Sequence, residues 1–142
     1  CTGGFIAHSL TSVSGTSEVF GRGYVTYANA AKTDMLGVPA EMIAEHGAVS
    51  EPVARAMAEG ARDRSGADHA ISVTGVAGPT GGTEAKPVGT VYIGLASVGQ
   101  PTFVDVFRFG GDRQSFKVRT TRKALDLLRR RILGYELAEK LG

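Results

Sequence analysis

Residues 72–82, SVTGVAGPTGG, run from strand-like residues into glycine, proline and threonine, and KPVGT follows at 86–90. Glycines at the carboxyl end of a strand let backbone N–H groups approach a phosphate or a developing oxyanion with no side chain in the way. Gly75 and Gly78 are therefore candidates for the floor of an anion site, and Thr74 at the strand end can exchange a hydrogen bond with substrate. The same glycines suit a plain connector, and the threonine an ordinary strand position. The stretch matches neither the GxxxxGK[ST] phosphate loop nor the GxGxxG dinucleotide fingerprint, so nothing in it implies a nucleoside triphosphatase. Thr2 and Gly3, at the start of a helix, can offer N–H groups to a phosphate or simply cap the helix. Arg113, in the triplet GDR, suits a bidentate grip on a phosphate, against the plainer role of a first-turn surface charge. Lys86 reads as a solvated charge.

Three other features invite chemistry less strongly. Cys1 suggests an N-terminal nucleophile, but two glycines and a helical pattern follow where that mechanism wants a strand. His46, in EHGAVS, reads as a capping or packing residue near a helix end. The run Arg129, Arg130, Arg131 could touch nucleic acid, although such a run on a terminal helix is usually a solvated face.

These residues need elements to hold them, and the periodicity supplies a set. Residues 3–13 carry apolar side chains at helical spacing, broken by Ser14 to Ser17. GYVTYA at 23–28 alternates like a strand, and NAAKTDMLG at 29–37 starts at an Asn cap and stops at a glycine. Ser50 before Glu51 and Pro52 marks the N-cap of a helix over 51–65. AISVTG, GTVYIGLAS and TFVDVFRF read as three strands, the last two antiparallel across the short link 98–101, and Asp112 caps a long helix to about Leu133. After Gly134 a short helical end or a frayed tail is expected. The fold class expected is α/β, a three-layer α/β/α sandwich whose mixed, mainly parallel sheet carries an antiparallel strand.

Composition bounds the rest. The 142 residues, 42% hydrophobic and 21% charged, suit one soluble domain spanning 1–142. No stretch approaches the ~20 apolar residues of a membrane span, and no basic-then-apolar signal segment precedes a cleavage site, so a cytoplasmic domain is expected. One cysteine and three scattered histidines give no disulfide framework and no metal spacing. The net charge of +2 is too mild to call for nucleic acid, although it suits a small anionic ligand.

Taken together, CTGG at 1–4, GTS at 15–17, YANAAK at 27–32, LGVP at 36–39, EHGAVSE at 45–51, VTGVAGPTGGTEAKPVGTVYIG at 73–94 and GDR at 111–113 resemble the C-terminal domain of the competence-damage-inducible protein family. The order is right over nearly the whole chain, and GxAGPxGG followed by KPVGTV is highly specific. The resemblance implies a nicotinamide mononucleotide deamidase, an amidohydrolase that converts nicotinamide mononucleotide to nicotinic acid mononucleotide and ammonia without metal or organic cofactor. It also implies a mixed five-stranded sheet and, on family grounds, a homodimer. The family's serine nucleophile, tyrosine and lysine match Ser17, Tyr27 and Lys32. The family places Ala-Glu-Ser, preceded by a helix and a strand, ahead of its Cys-Thr-Gly-Gly, whereas this sequence starts at Cys1. The chemistry asks for such a set, since a serine hydroxyl is a weak nucleophile until a base takes its proton, and a lysine serves only when its pKa is lowered. A reading from another class, a non-catalytic nucleotide-binding or protein-interaction module, is separated from this one by ammonia release.

Overall fold

The computed structural model describes residues 1–137. Among the described residues five helices, α1 (Phe5–Thr11), α2 (Asn29–Leu36), α3 (Ala40–His46), α4 (Glu51–Ser65) and α5 (Arg113–Ile132), accompany three strands, β1 (His69–Gly75), β2 (Thr90–Ser97) and β3 (Gln100–Arg108). A 3-10 turn occupies Thr16–Glu18.

The strands lie in the order β1-β2-β3 and are antiparallel throughout. Here the structure departs from the mainly parallel sheet expected. The link 76–89 between β1 and β2 holds no helix, and a parallel return needs a crossover element, usually a helix. The hairpin from β2 to β3 turns on Val98 and Gly99, the latter at φ +71°. The alternating segment 23–28 is likewise not a strand. Its alternation is real, with Tyr24 half-buried, Thr26 buried, and Val25 and Tyr27 exposed, but among the described residues no strand pairs with it.

Helices pack on both faces of the sheet. Val91, Ile93 and Leu95 of β2 share a core with Phe116, Ala124 and Leu127 of α5. On the opposite face Gly94 lies against α4, so closely that a Cβ there would stand 2.8 Å from the Ala54 carbonyl oxygen. A second core joins Leu36, Val38 and Ile43 to Val53 and Met57 of α4, and so fixes α2 and α3 on that helix.

The caps were partly legible. Asp112 accepts from the Ser115 N–H at 2.8 Å, which also holds its carboxyl below the usual carboxylate range. Ser50 occupies the N-cap position of α4, but its hydroxyl donates to the Gly47 carbonyl at 2.7 Å instead. The N-cap of α2 is Ala28, not Asn29, and Gly37 at φ +71° ends that helix. Residues 135–137 are not helical, and the remainder of the expected tail, 138–142, lies outside the described residues.

Candidate active site

Lys32 sits in the first turn of α2 and is 6% exposed. Its Nζ donates to the carbonyl oxygen of Thr26 at 2.7 Å, and among the described residues it has no carboxylate partner. A neutral carbonyl does little to offset the loss of water around a charge. Burial accordingly pushes the Lys32 pKa below its ordinary 10.5, and the free amine, a competent base, is easier to reach.

Lys32 lines a cavity of about 1390 Å³, together with β1, the extended residues 20–27, Cys1 to Gly4, Gly75 to Gly78 and Arg113. Lys32 and Arg113 both line this cavity and Lys117 reaches Gly3 in its wall, so the site is cationic and an anion would be favoured there. Arg113 is steadied by donating from Nη1 to the Gly78 carbonyl at 2.8 Å. Lys117 lies one helical turn further along α5, and a Cβ at Gly3 would stand 3.7 Å from its Nζ. Sequence reasoning missed Lys117, although the i, i+4 spacing from Arg113 was the available signal.

The backbone of β1 contributes as well. Val76 N–H donates to Thr90 and Val98 N–H to Asp68, so the even-numbered positions of β1 face β2. Antiparallel alternation then turns the N–H groups of residues 71, 73 and 75 the other way. Gly75 N–H thus points away from β2, and Gly75 is among the residues that line the cavity, so this N–H is a candidate donor to a developing oxyanion.

The residues singled out from sequence divide as follows. Thr2, Gly3, Tyr27, Lys32, Thr74, Gly75, Gly78 and Arg113 all line the cavity. Thr74, 4% exposed, donates its hydroxyl proton to the Ala48 carbonyl at 2.8 Å, which leaves its oxygen as an acceptor only. Gly75 and Gly78 have a reason in the fold that the sequence did not show. A Cβ on Gly75 would lie 2.7 Å from the Thr90 carbonyl oxygen, and one on Gly78, at φ +80°, would collide with the Val88 side chain. The close approach at both positions is made by the chain itself.

Ser17 is not brought to Lys32. It is exposed on the 3-10 turn, whose other two residues, Thr16 and Glu18, line the cavity, and among the described residues no hydrogen bond joins it to Lys32 or Tyr27. The turn is anchored instead by Thr16, whose hydroxyl reaches the carbonyls of Leu10 and Val13 at 2.7 and 2.6 Å. Tyr27 is 76% exposed at the cavity wall. Lys86 is not merely solvated, since its Nζ donates to the His46 carbonyl at 2.8 Å and ties the glycine-rich link to the end of α3. No three His, Cys, Asp or Glu side chains gather among the described residues, and no helix among them is long and apolar enough to cross a membrane.

Comparison with known proteins gives this arrangement a lineage. Residues 1–132 match the model of the CinA C-terminal domain. A CinA-like protein of Citrifermentans bemidjiense is 58% identical over 133 residues, covering 94% of this chain and 32% of its own length. One of Geobacter sulfurreducens is 54% identical over 133 residues, covering 94% and 32%. The chain thus spans about a third of the length of these relatives. Among solved structures, the competence/damage inducible protein CihA of Agrobacterium tumefaciens superposes with a TM-score of 0.89 at 45% identity, over 91% of this chain and 79% of that one. The competence damage-inducible protein A of Klebsiella pneumoniae superposes at 0.90 and 37%, over 96% and 84%. With a family match over nearly all of its described residues and a mixed α/β fold shared with these structures, the chain belongs to the CinA C-terminal domain family.

Proposed function

We propose that the chain is a nicotinamide-nucleotide amidohydrolase, releasing ammonia from nicotinamide mononucleotide with Lys32 as general base. The observation that carries this reading is the buried Lys32 ammonium, which has only a carbonyl oxygen for a partner and lines the cavity. An amide hydrolase needs a base of this kind, and the cations around the cavity suit the phosphate of a mononucleotide. Arg113, with Thr2 and Gly3 opposite, takes the phosphate. The acceptor oxygen of Thr74 receives an N–H of the carboxamide, and Gly75 N–H faces the oxyanion.

In the reaction, neutral Lys32 takes the proton from the Ser17 hydroxyl as its oxygen bonds to the carboxamide carbon, with Tyr27 relaying that proton or positioning the amine. Collapse of the tetrahedral adduct breaks the C–N bond, and the departing nitrogen takes the proton back from Lys32 as ammonia. Water then attacks the acyl-serine as Lys32 accepts its proton, and breaking of the acyl–oxygen bond returns that proton from Lys32 to the Ser17 oxygen, restoring the hydroxyl and the free amine as nicotinic acid mononucleotide leaves. For this sequence the 3-10 turn must move Ser17 inward over bound substrate. The exposure of Ser17 favours a second reading in which Lys32 activates water directly. The same reading takes the protein as cytoplasmic and homodimeric.

Ammonia release from nicotinamide mononucleotide by the purified protein tests the reading, and its absence refutes it. Ser17→Ala is expected to remove nearly all turnover while substrate binding stays measurable. Turnover within about threefold of the parent would select the water mechanism. Arg113→Ala is expected to lower kcat/KM for the mononucleotide at least tenfold and for the unphosphorylated riboside much less, as loss of a charge-assisted bond of about 1.5 to 3 kcal/mol requires. Equal losses on the two substrates would remove Arg113 from the phosphate.

A further inference from the structure

Thr2 and Lys117 carry polar groups that the fold itself does not use. Thr2 is 6% exposed and lines the cavity, yet among the described residues its hydroxyl makes no hydrogen bond. A hydroxyl so enclosed is normally paired. It is not sealed off as the Thr120 and Thr121 hydroxyls are, so solvent reaches it, and the space beside it is the cavity.

Lys117 lies four residues after Arg113 and hence on the same face of α5. It is half-buried, and a Cβ on Gly3, the neighbour of Thr2 in the cavity wall, would stand 3.7 Å from its Nζ. Arg22, Lys32 and Arg113, the cations that line the cavity, each donate to a backbone carbonyl. Lys117 makes no hydrogen bond and no ion pair among the described residues. The acidic residue closest to it in sequence, Asp112, has its carboxylate on the Ser115 N–H. Glu18 and Asp68, the carboxylates that line the cavity, pair with neither Arg113 nor Lys117.

Two cations without a counter-charge and one idle hydroxyl therefore meet at this part of the wall. Like charges four apart on a helix repel, and an anion between them would remove the repulsion and give the half-buried ammonium a partner. A terminal phosphate monoester, with a charge of about −1.5 to −2 at neutral pH, answers that demand, and a phosphodiester, with about half as much, does not. Room alone would not turn a diester away, because the cavity of about 1390 Å³ exceeds the ~300–1,000 Å³ of ordinary ligand sites. Selection has to come from charge.

We infer that Lys117 is the specificity-determining residue of the phosphate site, taking the second charge of a terminal monoester and so selecting it over a phosphodiester. Arg113 and the Thr2 hydroxyl hold the phosphate oxygens that both kinds of ester share. The inference rests on the amidohydrolase reading for the identity of the nucleotide, and its test reads binding, so that the two can fail separately.

The test is calorimetric titration with nicotinic acid mononucleotide, which the proposed reaction does not consume, with the methyl ester of its phosphate, and with the unphosphorylated riboside. The parent should bind the mononucleotide at least tenfold more tightly than the methyl ester. Lys117→Met, which keeps the stem and removes the charge, should weaken the mononucleotide about tenfold and leave the methyl ester and the riboside within about twofold. Lys117→Arg, which restores the charge, should keep the preference within about threefold of the parent. Arg113→Ala should weaken mononucleotide and methyl ester alike. Because Lys117 has no partner to lose among the described residues, a thermal melt of Lys117→Met should match the parent. Equal losses on mononucleotide and methyl ester in Lys117→Met, no loss on either, or no binding of the mononucleotide by the parent would each overturn the inference. The expected selectivity without ammonia release would refute the amidohydrolase reading and leave Lys117 in its role, whereas ammonia release with unaltered selectivity in Lys117→Met would do the reverse.

Discussion

Lys32→Met is expected to lower kcat for amide hydrolysis by about 10³-fold, within the range that loss of a positioned general base costs. Among the described residues no other side chain bonds to the Thr26 carbonyl, and the guanidinium of Arg113, which also lines the cavity, offers no accessible lone pair. The pH dependence has a definite sign. The active form is the free amine, and burial lowers the Lys32 pKa from 10.5, so kcat/KM should rise with pH through that lowered value and level off before 10.5. Lys32→Arg, which keeps the charge and offers no accessible base, should be inactive across the range. Stability moves in the same direction. A lysine whose folded pKa is depressed leaves the folded state most stable above the unfolded value, and that advantage is lost as pH falls through the folded pKa. Lys32→Met should therefore melt higher than the parent at pH 7, with the gap closing toward pH 10.5. A gap that widens with pH, or a variant that retains more than a tenth of the parental kcat, would remove Lys32 from the chemistry.

Gly60→Ala is expected to be the most damaging of the small substitutions, although alanine is the better helix former by about 1 kcal/mol. Gly60 lies in the middle of α4, where a Cβ would be driven into the carbonyl oxygen of Leu36 and would stand 3.0 Å from its carbon. That carbonyl ends α2 and also accepts from Arg64 Nη1 at 3.0 Å, so it has little freedom to withdraw. Overpacking of this kind costs about 1–3 kcal/mol, and the contact is backbone against backbone, which favours the upper end. A fall in Tm of roughly 8 °C is expected. Because Lys32 stands one turn before Leu36 on the same short helix, activity should fall further than the melt alone explains. An unchanged Tm would mean that α2 and α4 are not locked at this crossing.

The sequence and structure differ most where a reading depended on partners remote in the chain. Helix α4 was legible over its whole length, because Ser50, Pro52 and Gly66 bracket a clean apolar stripe. The three strands were legible from their β-branched runs, but the direction of β1 was not, since direction depends on what the link 76–89 does and its glycines are silent about that. Helix α3 left little trace, because only Ile43 of its seven residues is buried. At the site, Lys32, Tyr27 and Ser17 were named by resemblance, and the structure gathers only the first two at the cavity. No local pattern could reveal that Thr26 would present its carbonyl to Lys32, that Thr74 would spend its proton on Ala48, or that Gly78 is required by Val88.

The partner of Lys32 has a kinetic consequence of its own. A carbonyl oxygen accepts a hydrogen from an ammonium and from a neutral amine alike, so the contact with Thr26 survives deprotonation. A carboxylate partner would bind the charged form far more tightly and let the amine swing free once the proton left. Here the four-carbon stem surrenders its rotamers once, on folding, and not again at every turnover. The amine is thus a fixed perch that a proton can occupy or vacate without the side chain having to travel.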